Sequence, residues 1–230
     1  MDVSEYLKRA KVQASSTAVV DAQRRLWAVL DEAKKASLPA TPSALNRVYL
    51  FKVPKLSADG SCSLHDELDP TPYDLSTVLG GRTIRNSMSL VVLHSLVGEV
   101  ARHGGIDWLG VYQARALPSG RALVKLAYEG VPSRAEFPLT EAFAKTSNNA
   151  AVGLSGTARV LADVQAHVQS GGAYYECDPK VRSEACLPVL ADGGQVVGLI
   201  DAESPKPNFF DDEHLAMVVA LALEVPHHFP

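Results

Sequence analysis

Apolar side chains recur along this chain with two different periods, and the places where the period changes divide it into elements. Over residues 17–36, Val20, Leu26, Val29, Leu30 and Ala33 repeat at mixed helical spacings beside Arg24, Arg25, Glu32 and Lys34, which predicts an amphipathic helix. A second helix starts from Ser87, read as its N-cap, with Met88, Val92, Leu96 and Val100 on one face, and it stops before Gly104 and Gly105. After that glycine pair the period shortens to that of a strand. Residues 108–112 and 122–127 read as an antiparallel hairpin turned at Pro118, Ser119 and Gly120. Residues 184–190 and 196–202 form a second pair of strands, joined by Ala191, Asp192, Gly193 and Gly194. The last helix has Asp211, Asp212 and Glu213 on its first turn, where negative charge is favoured. Its apolar stripe is Leu215, Val218, Val219, Ala222 and Leu223, and Pro226 ends it.

Helix, strands, irregular middle, strands, helix is the order of an α+β fold, an antiparallel sheet with helices packed on one face, here spanning residues 87–225. Residues 1–86 read as an N-terminal extension. It contains helix 17–36 and then a stretch, 37–85, rich in Pro, Ser, Asp and Gly. That stretch is assigned to loop apart from a strand-like run at 48–53, and Gly80 and Gly81 mark the break before the main domain.

Composition narrows the partners. With 230 residues, 47% hydrophobic and 21% charged, the chain has material for a sizeable core. A net charge of −4 with no basic stripe argues against nucleic acid. No apolar run approaches the ~18 residues that span a bilayer. Asp2 and Glu5 stand where a signal peptide would be apolar, so the expected home is the cytoplasm and no membrane partner is expected. Cys62, Cys177 and Cys186 are too few and too odd in number for a disulfide framework and read as free thiols. The histidines, including the pair His227 and His228, show no ligand spacing, so neither a metal nor a cofactor is expected.

Four short motifs follow one another in the main domain. The first is Trp108, Gly110 and Tyr112 on the first strand; the second is Gly153-Leu154-Ser155-Gly156-Thr157-Ala158. The third is Cys177-Asp178 followed by Ser183-Glu184, and the fourth is the strand end Gly198-Leu199-Ile200-Asp201-Ala202-Glu203-Ser204. With the order of elements, these motifs resemble GAF domains and, among them, the free methionine-(R)-sulfoxide reductases. The resemblance covers little of residues 1–86. It implies a pocket in which Cys177 corresponds to a redox cysteine, with Asp178 beside it. Two family cysteines are replaced: Ser155 stands where one is expected, and the other falls near Ser133 and Arg134, where there is no thiol.

Reducing a sulfoxide needs a thiolate to attack sulfur, a proton for the departing oxygen and a second thiol to resolve the sulfenic acid. Cys186 is two residues beyond Glu184 on a strand, hence on the same face, and is the candidate resolving thiol; its ordinary role would be that of a small buried hydrophobe. Asp201 and Glu203 are likewise two apart, so their carboxylates emerge on one face about 7 Å from each other. Glu184 adds a third. Such a set suits a ligand ammonium, with Trp108 and Tyr112 as an aromatic wall, although carboxylates also collect at solvated strand ends and Trp in cores.

Three functions follow. The chain binds a small amino-acid-like ligand in a pocket that has lost most redox cysteines; or it reduces methionine sulfoxide through Cys177, with Cys186, thioredoxin or glutathione resolving; or it is a scaffold, a homodimer paired through helix 17–36.

Overall fold

The computed structural model describes residues 1–35, 42–56 and 67–230. Before the main sheet come α1 (Val3–Ala10), α2 (Ser16–Lys35), α3 (Pro42–Tyr49), the short strands β1 (Leu50–Phe51) and β2 (Tyr73–Asp74), and α4 (Leu75–Val78). Then follow α5 (Ile84–Gly104), β3 (Trp108–Leu117), β4 (Gly120–Glu129), β5 (Glu136–Pro138), α6 (Asn148–Ser155), β6 (Arg159–Leu161) and α7 (Val164–Gln169). The chain closes with β7 (Ser183–Leu190), β8 (Val196–Ser204) and α8 (Asp212–Glu224). Six strands pair in the order β5-β4-β3-β8-β7-β6, antiparallel throughout.

Period-two alternation gives the sheet two faces of different character. Leu109, Val111, Val124, Leu126, Ala185, Leu187, Ile200 and Ala202 turn to one side, into a core with residues of α5 and α8. Trp108, Tyr112, Leu123, Cys186 and Leu199 turn to the other, with Phe137 and Val152 of α6. Helix α2 packs outside α5 and α8, burying Val19, Ala22, Leu26, Leu30 and Ala33. Helix α1 ties to β7, where the Tyr6 hydroxyl donates to the Pro188 carbonyl at 2.7 Å. These residues of the first 86 belong to the same continuous core as the sheet. No helix among the described residues is long and apolar enough to cross a membrane.

Several local expectations are corrected. The stripe of α2 lies one position round from Val20 and Val29, which are only partly covered, because the seam follows the groove that α5 and α8 present. Its predicted last residue, Ala36, lies outside the described residues. Helix α5 begins at Ile84. Thr83 is its cap, accepting from the Asn86 N–H at 3.1 Å, and Ser87 is a buried residue of the first turn whose hydroxyl donates back to the Thr83 carbonyl. The run 48–53 is not one strand: Val48 and Tyr49 end α3, and only Leu50 and Phe51 pair, with Asp74 and Tyr73. Burial of the Tyr49 ring, with its hydroxyl on Ser87 at 3.0 Å, overrides the local strand preference. The irregular middle holds β5, α6, β6 and α7.

Candidate functional site

The face of the sheet away from α5 and α8 carries the polar motif residues in two rows across the strands. Trp108 pairs with Glu203 and Glu203 with Glu184; one step along, Gly110 pairs with Asp201 and Asp201 with Cys186. The spacing of Trp108, Gly110 and Tyr112 has a mechanical reason. The indole lies back over Gly110, where a Cβ would come within 2.3 Å of the ring, and its centroid is 6.5 Å from that of Tyr112. The indole N–H donates to the Val131 carbonyl at 3.0 Å, which holds the ring across the strand end.

Helix α6 closes the pocket from above. Ser147 caps it, accepting from the Ala150 N–H at 3.2 Å, and the left-handed Gly156 ends it. That cap brings two side chains that the sequence reading did not single out down onto the carboxylates. Asn148 donates to Glu184 Oε2, and Asn149 donates to Asp201 Oδ2 at 2.8 Å. Arg159 donates to the Asn148 carbonyl oxygen at 3.1 Å and so sets which end of that amide meets Glu184.

Glu184 and Asp201 are 4% and 3% exposed, which is costly for carboxylates. Burial, with Asp201 beside it, pushes the Glu184 carboxyl up; burial likewise pushes Asp201 up, against the amide of Asn149. Cys186 sits between them. Its Sγ lies 3.0 Å from Asn149 Oδ1, 3.1 Å from Glu184 Oε1 and 3.4 Å from Asp201 Oδ1, and burial and the two carboxylates hold its thiol well above the ordinary range. A thiol in that state is a poor nucleophile. Glu184, Cys186 and Asp201 place donor atoms within 4.8 Å of one another, a cluster that a search for histidine spacing could not find.

The rest of the cavity wall is largely aromatic, and two basic residues pack against its rings or their neighbours. Lys125 is fully buried on β4; its ammonium donates to the carbonyl and the hydroxyl of Ser133 at 2.8 and 2.7 Å and lies 4.1 Å from the centroid of Tyr128. Arg134 is enclosed by the rings of Phe137, Phe143 and Tyr175 and donates to the Tyr175 hydroxyl at 2.8 Å. Ser133, where the resemblance expects a cysteine, therefore faces the pocket. Ser155 does not: it is exposed at the C-terminal end of α6, accepting from the Thr157 N–H.

An inner cavity of about 20 Å³ is bordered by Asn148, Asn149, Glu184 and Asp201, with Trp108, Ser133, Cys177 and Glu203 on its outer side. Those last four also border a wider space of about 500 Å³ nearer the surface. Half-buried Cys177 thus stands between the two. Asp178 faces the outer space only, and its carboxylate accepts from the Lys180 N–H at 2.8 Å. The structure therefore gathers Trp108, Tyr112, Cys177, Glu184, Asp201 and Glu203 around one pocket with Cys186 behind it, and leaves Asp178 at the mouth and Ser155 outside. Cys62 lies outside the described residues.

Residues 90–225 match the family model of the GAF domain. Protein YtsP of Bacillus subtilis is 28% identical over 109 residues, a match that spans 46% of this chain and 58% of that protein. Among solved structures, the fold is similar to the type II free methionine-R-sulfoxide reductase of Thermoplasma acidophilum, at 22% identity and a TM-score of 0.51, over 63% of this chain and 97% of that one. It is equally similar to the free methionine-R-sulfoxide reductase of Neisseria meningitidis determined with its substrate: 21% identity, a TM-score of 0.51, and 67% and 83% of the two chains.

Proposed function

This chain belongs to the GAF domain family, and from that premise we propose that it binds a small amino-acid-like molecule in the pocket between β3, β7, β8 and α6. One observation carries the reading: three carboxylates, Glu184, Asp201 and Glu203, converge on a space walled by Trp108, Tyr112, Phe137 and Tyr175. Carboxylates on one wall suit an ammonium, and a stacked indole suits an apolar or polarisable side chain. Glu203, bordering both inner and outer spaces, is the carboxylate that an incoming ammonium meets first.

Methionine sulfoxide is the first ligand to test, because the Neisseria meningitidis reductase of the same fold was determined with its substrate. Binding without turnover is the reading that the residues favour. Ser133 and Ser155 carry hydroxyls where the resemblance would need thiols for an internal disulfide, and burial and its two carboxylate neighbours hold the Cys186 thiol well above its ordinary range. A second reading, reduction through Cys177 with thioredoxin or glutathione resolving the sulfenic acid, draws on the position of Cys177 beside Trp108 and Glu203.

The deciding experiment incubates the purified full chain with free L-methionine-(R)-sulfoxide and dithiothreitol, in buffer containing a chelator, beside Cys177→Ser. Thermal stabilisation without consumption of the sulfoxide, lost in Glu203→Ala, supports the binding reading. Consumption that disappears in Cys177→Ser replaces it with the reductase. Neither stabilisation nor consumption refutes both.

A further inference from the structure

We propose that Glu184, Cys186 and Asp201, with the side-chain amide oxygen of Asn149, form a site for a single Zn²⁺ ion beneath the pocket. This inference shares Glu184 and Asp201 with the amino-acid reading but does not need it, and a bound ion would leave Glu203 as the carboxylate that meets the ligand ammonium.

Counting hydrogens at Cys186 leads to it. A thiol has one hydrogen, yet three buried oxygens, Asn149 Oδ1, Glu184 Oε1 and Asp201 Oδ1, surround Sγ at 3.0 to 3.4 Å. One amide hydrogen of Asn148 and one of Asn149 go to the other carboxylate oxygens, Glu184 Oε2 and Asp201 Oδ2. At most one of the three oxygens can receive the S–H. The other two then face a sulfur that gives them no hydrogen, and a buried carboxylate so placed is relieved by taking up a proton or a cation. One divalent cation satisfies all of them at once.

Geometry agrees with the count. In a tetrahedral zinc site the metal–sulfur and metal–oxygen distances, about 2.3 and 2.0 Å, put sulfur and oxygen about 3.5 Å apart. The three observed separations are slightly shorter, and all the thiol and carboxylate donors lie within 4.8 Å of one another, so small outward movements suffice. A separate feature concerns size. The inner cavity against Glu184, Asp201 and Asn149, about 20 Å³, has room for a water-sized occupant, and its outer side gives access from the pocket.

Donor chemistry selects the ion. One thiolate with carboxylate and amide oxygens is a set that zinc accepts, whereas calcium and magnesium require six or more oxygens or retained water. Binding ionises the thiol and releases its proton to solvent, with no change of oxidation state. Two carboxylates and a thiolate then carry three negative charges against two positive, and the positive groups of Lys125 near Asp201 and Arg159 near Glu184 offset the remainder.

The test uses the full chain stripped with a chelator, dialysed free of it and titrated with Co²⁺ as a spectroscopic stand-in for zinc, with no amino acid present. One equivalent per chain is expected, giving intense tetrahedral visible bands and a thiolate-to-metal band in the near ultraviolet, both erased by Zn²⁺. The near-ultraviolet band should vanish in Cys186→Ser and persist in Cys177→Ser, and Asp201→Asn should weaken binding by about tenfold or more. A wild-type spectrum that is octahedral or lacks the thiolate band, no stoichiometric uptake, or a band that survives Cys186→Ser overturns the proposal. The wild-type spectrum alone decides if Cys186→Ser fails to fold. Failure here leaves the sulfoxide experiment, run with chelator, to stand or fall separately.

Discussion

Gly110 sets how closely the indole of Trp108 can lie against the sheet, because a Cβ there would meet ring atoms at 2.3 and 2.8 Å and Tyr112 at 3.1 Å. Gly110→Ala must therefore move the ring that walls the pocket. We expect a loss of about 1–3 kcal/mol, the usual cost of overpacking, in urea unfolding. In a Trp27→Phe background, where Trp108 is the only remaining tryptophan, its emission should shift to the red; an unchanged spectrum would show that the ring does not rest on Gly110. The cysteines separate on the same local grounds. Cys177 is half-buried at the cavity edge, and Cys186 is buried with its thiol held protonated by burial and by Asp201 and Glu184. Brief alkylation of the native, chelator-treated chain followed by peptide mapping should label Cys177 and spare Cys186, and labelling of Cys186 should require denaturant. The residues that a single strand aligns, Glu184 with Cys186 and Asp201 with Glu203, were legible in the sequence because period two alone puts them on one face. Asn148, Asn149, Lys125 and Phe137 were not. Their contact with the site is made only when α6, β4 and β5 come together around it, and nothing in local spacing announces that approach.

Between elements, legibility followed periodicity and caps. The β3–β4 hairpin, the β7–β8 pair and α8 each carry an uninterrupted period and a recognisable turn or cap, and all four strands and the helix form where that pattern placed them. Helix α6 has the opposite character: Asn148 through Gly153 are all buried, so it shows no polar face, and Ser147 and Gly156 at its ends are its only local signals. Strands β5 and β6 are three residues each, too short for alternation to register. Helix α2 was legible as a helix but not in its purpose. Its apolar seam is consumed within the chain, against α5 and α8, instead of being free to pair two chains as a scaffold reading requires. Leu26→Ala should thus destabilise the fold by about 2–5 kcal/mol in urea, as truncation of a buried leucine does. Trp27, 49% exposed and donating to Glu224 at 3.0 Å, should cost well under that when replaced by alanine. If α2 does pair copies, its exposed Trp27 side is what remains to do so. Trp27→Ala would then change the sedimentation of the protein at high concentration, and Leu26→Ala would change its melting.

Across the whole molecule, stability against pH is a sum of groups with opposite signs, and between about pH 6.5 and 4 His94 opposes the buried carboxyls of the pocket. Its Nε2 is buried and finds no hydrogen-bond partner among the described residues, and burial pulls its pKa down from about 6.5 to about 4. Between those values the unfolded chain binds a proton at His94 that the folded chain refuses. Above pH 6.5 the ring is neutral in both states and adds no pH dependence, and stability is lost as pH falls from about 6.5 towards about 4, by at most about 3 kcal/mol for that shift. Glu184 and Asp201 act the other way, because their folded pKa values are raised: they favour the folded state as pH falls and weaken it as pH rises through those values. Asp211 and Glu224, whose carboxylates are stabilised by their neighbours, pull again in the direction of His94 but in the more acidic range where carboxylates protonate. Because these contributions overlap, the wild-type profile cannot assign any one of them, but a difference can. Urea unfolding of wild type and His94→Met from pH 7.5 to 4.5 should give curves whose separation is constant near neutrality and then changes steadily in favour of the variant as pH falls. A separation that stays constant throughout would mean that His94 titrates in the folded protein as it does in the unfolded chain, and that some other group opens the fold in acid.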